Sequence, residues 1–299
     1  MTQESTNTMH RVRSWINEFR DNYWPLVKSW QTALLLTTGL AGLMSARCPI
    51  FGWQILLGVS GSLFFAISGS TVLNMWYDRD IDSRMQRTCQ RPLPVGRITP
   101  RAGLTFGLVL SLIGITWAFY LDYLYGLIVF AGLFFDVVVY TMWLKRRTAW
   151  SIVWGGIAGG MPILAGRTLG IGQIDWIGIA LCLAVLFWIP THILTFSMRN
   201  YDDYQAAGIP TFPSTYGFKV TQWTIAISSV VSAVMMGIAA YGIGLTWGYL
   251  RLLAVLTGGL IFLALTSMLR PSDRVNFGLF KYASLYMLSV MVLLAAEAF

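Results

Sequence analysis

Asn74-Met-Trp-Tyr-Asp78-Arg-Asp80-Ile-Asp82-Ser-Arg84 follows directly on a long apolar run, in a chain otherwise poor in acids. Asn74, Asp78 and Asp82 recur every four residues. On a helix such positions share one face, drifting by roughly 40° per step, so the three side chains form a short column of oxygen donors. Donors of this kind suit a hard divalent cation and, through it, a diphosphate. Asp80 falls on the opposite face and is not expected to share the ion. The plain alternative is a hydrophilic helix end paired with Arg79 and Arg84. Four acceptors exceed what capping one terminus needs, and the aligned three would repel without a cation. Metal binding by Asn74, Asp78 and Asp82 is the expectation.

Working outward, the chain of 299 residues is 56% hydrophobic and only 11% charged, with a mean hydropathy of +0.62. That balance excludes a soluble globular protein. Nine apolar segments approach the length of about 20 residues that a helical membrane crossing takes: 29–46, 51–73, 102–121, 123–143, 150–168, 176–198, 222–243, 246–268 and 277–296. No alternating barrel pattern is present. The expected fold is all-α: a polytopic membrane protein whose nine transmembrane helices make a single bundle, with a central cavity open to the loops of one side. Residues 1–23 read as an N-terminal tail and 24–299 as the membrane domain.

Lysine and arginine set the orientation. With the N-terminus placed in the cytoplasm, one side holds all of these residues except Arg47, Arg167 and Arg251, which is eighteen of the 21. A missed span would have blurred this contrast. The net charge of +8 is therefore a topological signature, and no nucleic-acid partner is expected. The tail carries Glu4, Glu18 and Asp21 among its basic residues and has neither a signal-peptide core nor the acid-poor composition of a transit peptide. Cys48, Cys89 and Cys182 are scattered, which argues against a disulfide framework or a zinc site.

Two loops on the basic side are long and polar, after the second span and after the sixth, where function usually sits. The second holds Asn200-Tyr-Asp202-Asp203-Tyr204 and then Gly208-Ile-Pro210, echoing the first loop's acids and Arg91-Pro-Leu-Pro. Asp202 and Asp203 alone would read as solvated surface. Facing the first cluster, they would complete a clamp for Mg²⁺ and diphosphate. Arg87, Arg91, Lys145, Arg146 and Arg147 flank membrane ends, which explains about half of them. The others are candidates to bind diphosphate oxygens, Arg91 foremost because Pro92 fixes an extended turn after it. Asp136 lies nine residues before Lys145, about 13 Å deeper on a helix, where a carboxyl group has to face a cavity or a partner. His192 follows Pro190 within the sixth span; it reads either as a satisfied core histidine or as a contact to a substrate inside the bundle.

These residues resemble the intramembrane UbiA-type prenyltransferases, whose shared motif is Asn-x-x-x-Asp-x-x-x-Asp after the second span. The similarity is closest to the heme-directed branch of that family, the protoheme IX farnesyltransferases. It is carried by Asn74 to Arg97, by Tyr140-Thr-Met-Trp-Leu-Lys-Arg-Arg-Thr148, by Gly155 to Pro162, by Pro190-Thr-His192, by Asp203 to Pro210 and by Asn276 to Tyr286. Departures are Lys28-Ser29, where the family usually shows Lys-Pro; Thr191, where a second proline usually precedes the histidine; and Arg199-Asn200 ahead of the second acids. The resemblance implies farnesyl transfer from farnesyl diphosphate to the vinyl group of protoheme IX, giving heme O. Mg²⁺ would be the cofactor and heme B a substrate. Asp78, Asp82, Asp203, Arg91 and Lys145 would be catalytic, Arg87 and Arg146 further diphosphate ligands, and His192 and Asp136 heme-side or pocket-wall residues. It further implies the plasma membrane, cytoplasmic acidic loops, and a heme A synthase or terminal-oxidase assembly as partners. Two other expectations are a family member acting on a quinone precursor, aromatic ring or other tetrapyrrole, and a membrane transporter.

Overall fold

The computed structural model describes Arg13, residues 16–47 and residues 52–297. Most of the expected N-terminal tail, and Cys48, lie outside the described residues. Among the described residues nine long helices follow in order: α1 (Ser29–Ser45), α2 (Trp53–Tyr77), α3 (Pro100–Leu121), α4 (Tyr123–Phe134, continuing as a π-helical stretch Phe135–Leu144), α5 (Ser151–Ile171), α6 (Trp176–Arg199), α7 (Phe212–Ile243), α8 (Trp247–Leu269) and α9 (Asp273–Ala296). No strand occurs among the described residues. Seven of the nine, all but α1 and α5, are long and apolar enough to cross a membrane. Their outward faces carry large apolar side chains such as Leu112, Ile227, Val255 and Phe262, as expected of a chain solvated by lipid.

Local sequence explains where the helices begin. Thr99, Asp122, Asp175 and Ser272 each accept a hydrogen bond from the backbone N–H three residues on, and Thr211 forms a capping box with Ser214. These caps satisfy donors that a helix start leaves unmet. Gly217, at φ 81°, breaks α7 near its start, so a short helical turn from Phe212 precedes the long apolar helix.

Two apolar cores form. One joins α1 to α5 through Leu43, Val59, Leu63, Tyr125 and Ala165. The other joins α5 to α9 through Leu181, Trp188, Ile225, Met236 and Tyr286. They meet where α1 crosses α5, and glycine makes that crossing close. A Cβ on Gly42 would stand 2.1 Å from the Ile163 carbonyl oxygen, and one on Gly166 would stand 1.9 Å from that of Gly39. Small residues at such contacts let helix backbones approach where lipid offers no hydrophobic drive. At the end remote from the acidic loops, buried Arg167 ties the same helices together: it donates to the Ser45 carbonyl at 2.7 Å and to Asp175 at 2.7 and 2.8 Å.

Phe19–Tyr23 and Trp24–Val27 are also helical and dock against the polar-loop end of the bundle. Leu26 is fully buried with Val72, Met75, Leu93 and Ile98, and Tyr23 meets Phe106 edge to face at 5.2 Å. Lys28 then turns the chain into α1 with a left-handed backbone, φ 47° and ψ 57°.

Gly166→Ala should force α1 and α5 apart. Overpacking of this kind costs about 1–3 kcal/mol. A lower midpoint of thermal unfolding in detergent is the expected result; an unchanged midpoint would mean that the crossing yields without cost.

Candidate active site

The acidic column survives the end of α2. Asp78 caps α2, and a one-turn helix, Arg79–Asp82, continues beyond it. The Asp78 N–H donates to the Asn74 carbonyl at 2.9 Å and the Asp82 N–H to that of Asp78 at 2.8 Å, so helical spacing carries across the joint. Asp78 and Asp82 are 2% and 6% exposed, and two carboxylates so buried need partners.

Cations from three other segments supply them. Lys145, at the end of α4, binds Asp78 through its ammonium, and Arg146 stands 3.6 Å from the same carboxylate. Arg91 donates to Asp82 Oδ2 at 2.7 Å. Lys28 shares the electrostatic environment of Asp82, Asp136, Arg91 and Lys145. Removal of the Lys28 ammonium from water, reinforced by repulsion from Arg91 and Lys145, pushes its pKa down to about 8. Burial alone would lower the pKa of Lys145, but the pull of Tyr140 and Asp78 more than offsets it and holds Lys145 above the ordinary lysine range. Asp78 Oδ1 is buried with no hydrogen-bond partner.

Below this layer lies a polar chain. Asn74 Nδ2–H donates to Thr141 Oγ1 at 2.7 Å, and the Thr141 hydroxyl donates to the Asp136 carbonyl at 2.7 Å. The Asn74 amide is thereby oriented, leaving its Oδ1 as an acceptor. Ser70, one turn deeper on α2, hydrogen-bonds the Asp136 carboxyl group, so the expected partner of Asp136 is a serine hydroxyl.

The two polar loops meet. After α6 the short helix Tyr201–Ala206 presents Asp203, whose two oxygens accept from the backbone N–H groups of Gln86 at 3.1 Å and Arg87 at 3.2 Å. Ile81 and Met85 of the first loop bury against Ala207 and Ile209 of the second, with Tyr204 beside them. The sequence echo thus corresponds to two helix ends, each extended by a short acidic helix, in contact. A cavity of about 50 Å³ opens beside Lys145, lined by Tyr140, Ser197, Tyr204 and Thr211 among others.

Other candidates lie at the rim. Asp202 is exposed. Arg146 grips Asp80 with both nitrogens at 2.7 and 2.8 Å and donates to the Tyr77 carbonyl at 2.9 Å; this contact holds the Asp80 carboxyl below its usual range. Arg87 rests its guanidinium 4.8 Å from the Phe196 ring centre. His192 lies deep in α6, between the rings of Trp188 and Phe280. Among the described residues no three His, Cys, Asp or Glu side chains gather as a ready metal site, because the acids are engaged by cations and backbone amides. Sequence reasoning passed over Lys28 as a flanking charge. The signal was present in Lys28-Ser29, a departure within the family's pattern.

The arrangement brings oxygen donors and at least three cations to one buried layer, a setting suited to a polyanion. Comparison with known proteins agrees. The model of the UbiA prenyltransferase family matches residues 35–288. A protoheme IX farnesyltransferase of Archaeoglobus fulgidus is 40% identical over 210 residues, covering 70% of this chain and 74% of that one. Protoheme IX farnesyltransferase 2 of Mesorhizobium japonicum is 35% identical over 285 residues, covering 93% and 90%. Among solved structures, a UbiA homolog from Archaeoglobus fulgidus bound to GPP and Mg²⁺ superposes with a TM-score of 0.69 at 16% identity, covering 92% of this chain and 99% of that one. A digeranylgeranylglyceryl phosphate synthase superposes at 0.75 and 19%, covering 91% and 95%. With the family model spanning residues 35–288 and a relative 35% identical over 93% of this chain, the chain belongs to the UbiA prenyltransferase family of multi-pass membrane proteins.

Proposed function

We propose that this chain transfers a farnesyl group from farnesyl diphosphate to the vinyl group of protoheme IX, with uptake of one water, giving heme O and diphosphate. The observation that carries the reading is the buried layer in which Asp78 and Asp82 stand among Lys28, Arg91 and Lys145, in a chain 33–40% identical to relatives named protoheme IX farnesyltransferase. The nine long helices are taken as nine crossings, α1 and α5 adding to the seven that are apolar enough on their own. The N-terminus and both polar loops then face the cytoplasm from the plasma membrane, and heme O passes to a heme A synthase or terminal oxidase. The transporter expectation has no support in a family of transferases.

The donor set fits Mg²⁺. Asp78 Oδ1 is a hard, buried oxygen that accepts no hydrogen bond and has only Arg146 at 3.6 Å, Asn74 Oδ1 is oriented as an acceptor, and Asp82 adds a carboxylate. Asn74, Asp78 and Asp82 would hold the ion on one side, and Asp203 with Asp202 would face it across the joined loops. Bound Mg²⁺ supplies charge neutralisation to the leaving diphosphate.

The chain's own residues do the remainder. When a diphosphate arrives, Lys145 and Arg91 already stand at the carboxylates and exchange part of that contact for phosphate oxygens, with Lys28 as a third cation and Arg146 at the rim. The preset positive charge favours the state in which the carbon–oxygen bond has broken and the diphosphate carries the electron pair. Asp203 acts as a positioning residue by fixing the Gln86–Arg87 backbone that leads to Arg91. The apolar bundle keeps water from the allylic cation until the vinyl carbon attacks it; the carbocation this leaves on the second carbon of the former vinyl group then takes up one water and releases a proton, which gives the hydroxylated side chain.

Asp78→Asn and Asp82→Asn should each lower turnover by about a hundred- to thousandfold, the range found for loss of one preorganised charge-stabilising group. Helicity in detergent should be retained. Chelation of divalent ions should stop diphosphate release from farnesyl diphosphate with protoheme, and added Mg²⁺ should restore it; mass spectrometry of the extracted heme then identifies the product. Turnover near wild type in either variant, or an extracted heme lacking the farnesyl mass, overturns the assignment. Lys28→Ala should raise KM for farnesyl diphosphate about tenfold, a charged contact being worth about 1.5–3 kcal/mol. An unchanged KM would remove Lys28 from the site.

A further inference from the structure

The ends of α6 and α9 that carry Arg199 and Phe277 hold a second array. On α6, Trp188, His192, Phe196 and Arg199 recur at helical spacing; on α9, Phe277, Phe280, Lys281 and Ser284 do the same. The rings form a ladder from depth to rim. Trp188 stacks on His192 at 5.1 Å, His192 on Phe280 at 4.7 Å, and Phe280 lies 5.6 Å from Phe196 and 6.3 Å from Phe277. Three cations sit on the rim rings: Arg199 at 3.7 Å and Lys281 at 4.3 Å from the Phe277 centre, and Arg87 at 4.8 Å from that of Phe196. None of the three has a carboxylate within ion-pair distance among the described residues. A plain positive flank would explain cations, but not three of them gathered on rings that lead inward to a histidine.

One nitrogen of that histidine is held. Ser284 Oγ lies 3.1 Å from the Phe280 carbonyl oxygen and 3.1 Å from His192 Nδ1. Nε2 has no hydrogen-bond partner among the described residues. A histidine fixed through one nitrogen with the other free is the arrangement of a metal ligand with its outer hydrogen bond in place. In the same seam Asn276 Oδ1 is buried without a partner, although its amide donates to the Thr195 carbonyl at 2.9 Å. His192 and Arg199 are seven residues apart, about 10 Å along the helix. That is a span of the order separating the metal of a tetrapyrrole from its side-chain carboxylates.

We propose that the α6–α9 seam is the acceptor subsite: the phenylalanine ladder takes a flat iron tetrapyrrole, Arg87, Arg199 and Lys281 hold its two carboxylates at the membrane surface, and His192 Nε2 reaches its iron. The assignment rests on the farnesyl-to-heme reading above and says which residues recognise the acceptor. The prenyl chain and diphosphate occupy the α2–α4 side, and the loop contact at Asp203 and Arg87 joins the two halves of the site.

The test is Soret titration of the full-length protein in a zwitterionic detergent with protoheme and with its dimethyl ester, in which both carboxylates are masked. Wild type should bind protoheme about tenfold or more tightly than the ester. The double variant Arg199→Gln with Lys281→Gln should bind the two within about threefold of each other, through weaker binding of protoheme alone, with farnesyl diphosphate binding unchanged. Arg199→Lys and Lys281→Arg, which keep the charge, should keep the preference. His192→Ala should shift the Soret band of the bound heme while the preference persists. A double variant that still prefers protoheme, or a His192→Ala spectrum identical to wild type, overturns the subsite and leaves the reaction standing. A wild type that binds neither compound overturns both. Loss of preference only when anionic phospholipid is added would assign the cations to the bilayer and likewise overturn the subsite.

Discussion

The structure depends on one constraint: Asp78 and Asp82 are nearly out of contact with water, and carboxylates in that position are tolerated only beside cations. Lys145 comes from the end of α4, Arg91 from the loop after α2, and Lys28 from the turn before α1. The acids thus bring three distant segments to one point, and the helices that carry those segments are aligned as a consequence. A buried ion pair adds little net stability, since desolvation offsets much of the attraction, but removing one partner is costly. Here the pairs make better sense as a charge store. In the proposed reaction, cations that neutralise carboxylates in the free protein would be available to a diphosphate when it arrives, and the site would be assembled before its substrate.

Hydrogen bonding and apolar burial explain why the two polar loops lie together. Asp203 spends both oxygens on the backbone amides of Gln86 and Arg87, and Ile81, Met85, Ala207 and Ile209 bury one another beneath it. This small apolar contact links the half of the bundle built on α2 to the half built on α6. The echo between the loops therefore has a structural meaning: similar helix ends, each with a short acidic extension, docked face to face.

Much of this could be read from the chain. The positions of the long helices followed from apolar runs, and the column Asn74, Asp78, Asp82 followed from a period of four. The opposite placement of Asp80 followed from the same arithmetic, and the structure pairs it with Arg146 outside the column. What could not be read depended on tertiary neighbours. Composition gives Lys28 the same appearance as any flanking lysine; its electrostatic coupling to Asp82, Asp136, Arg91 and Lys145 arises only in the folded bundle. Asp203 read as a metal donor or as solvated surface; that its two oxygens also accept from backbone amides of another loop had no local signal. The ring ladder around His192 combines residues more than 80 positions apart, and no local pattern joins them.

The π-helical winding at Phe135–Leu144 has its own consequence. With hydrogen bonds closing five residues back, as the Lys145 N–H does onto Tyr140, side chains five apart become neighbours, and the Lys145 ammonium lies 5.6 Å from the Tyr140 ring centre. Ordinary α-winding would instead set Lys145 above Thr141 and rotate it away from the acid it binds. The segment's length is therefore fixed to the residue. Losing one position would leave hydropathy and span unaltered, yet the loosened coil would tighten and carry its terminal ammonium out of register with the opposing helix.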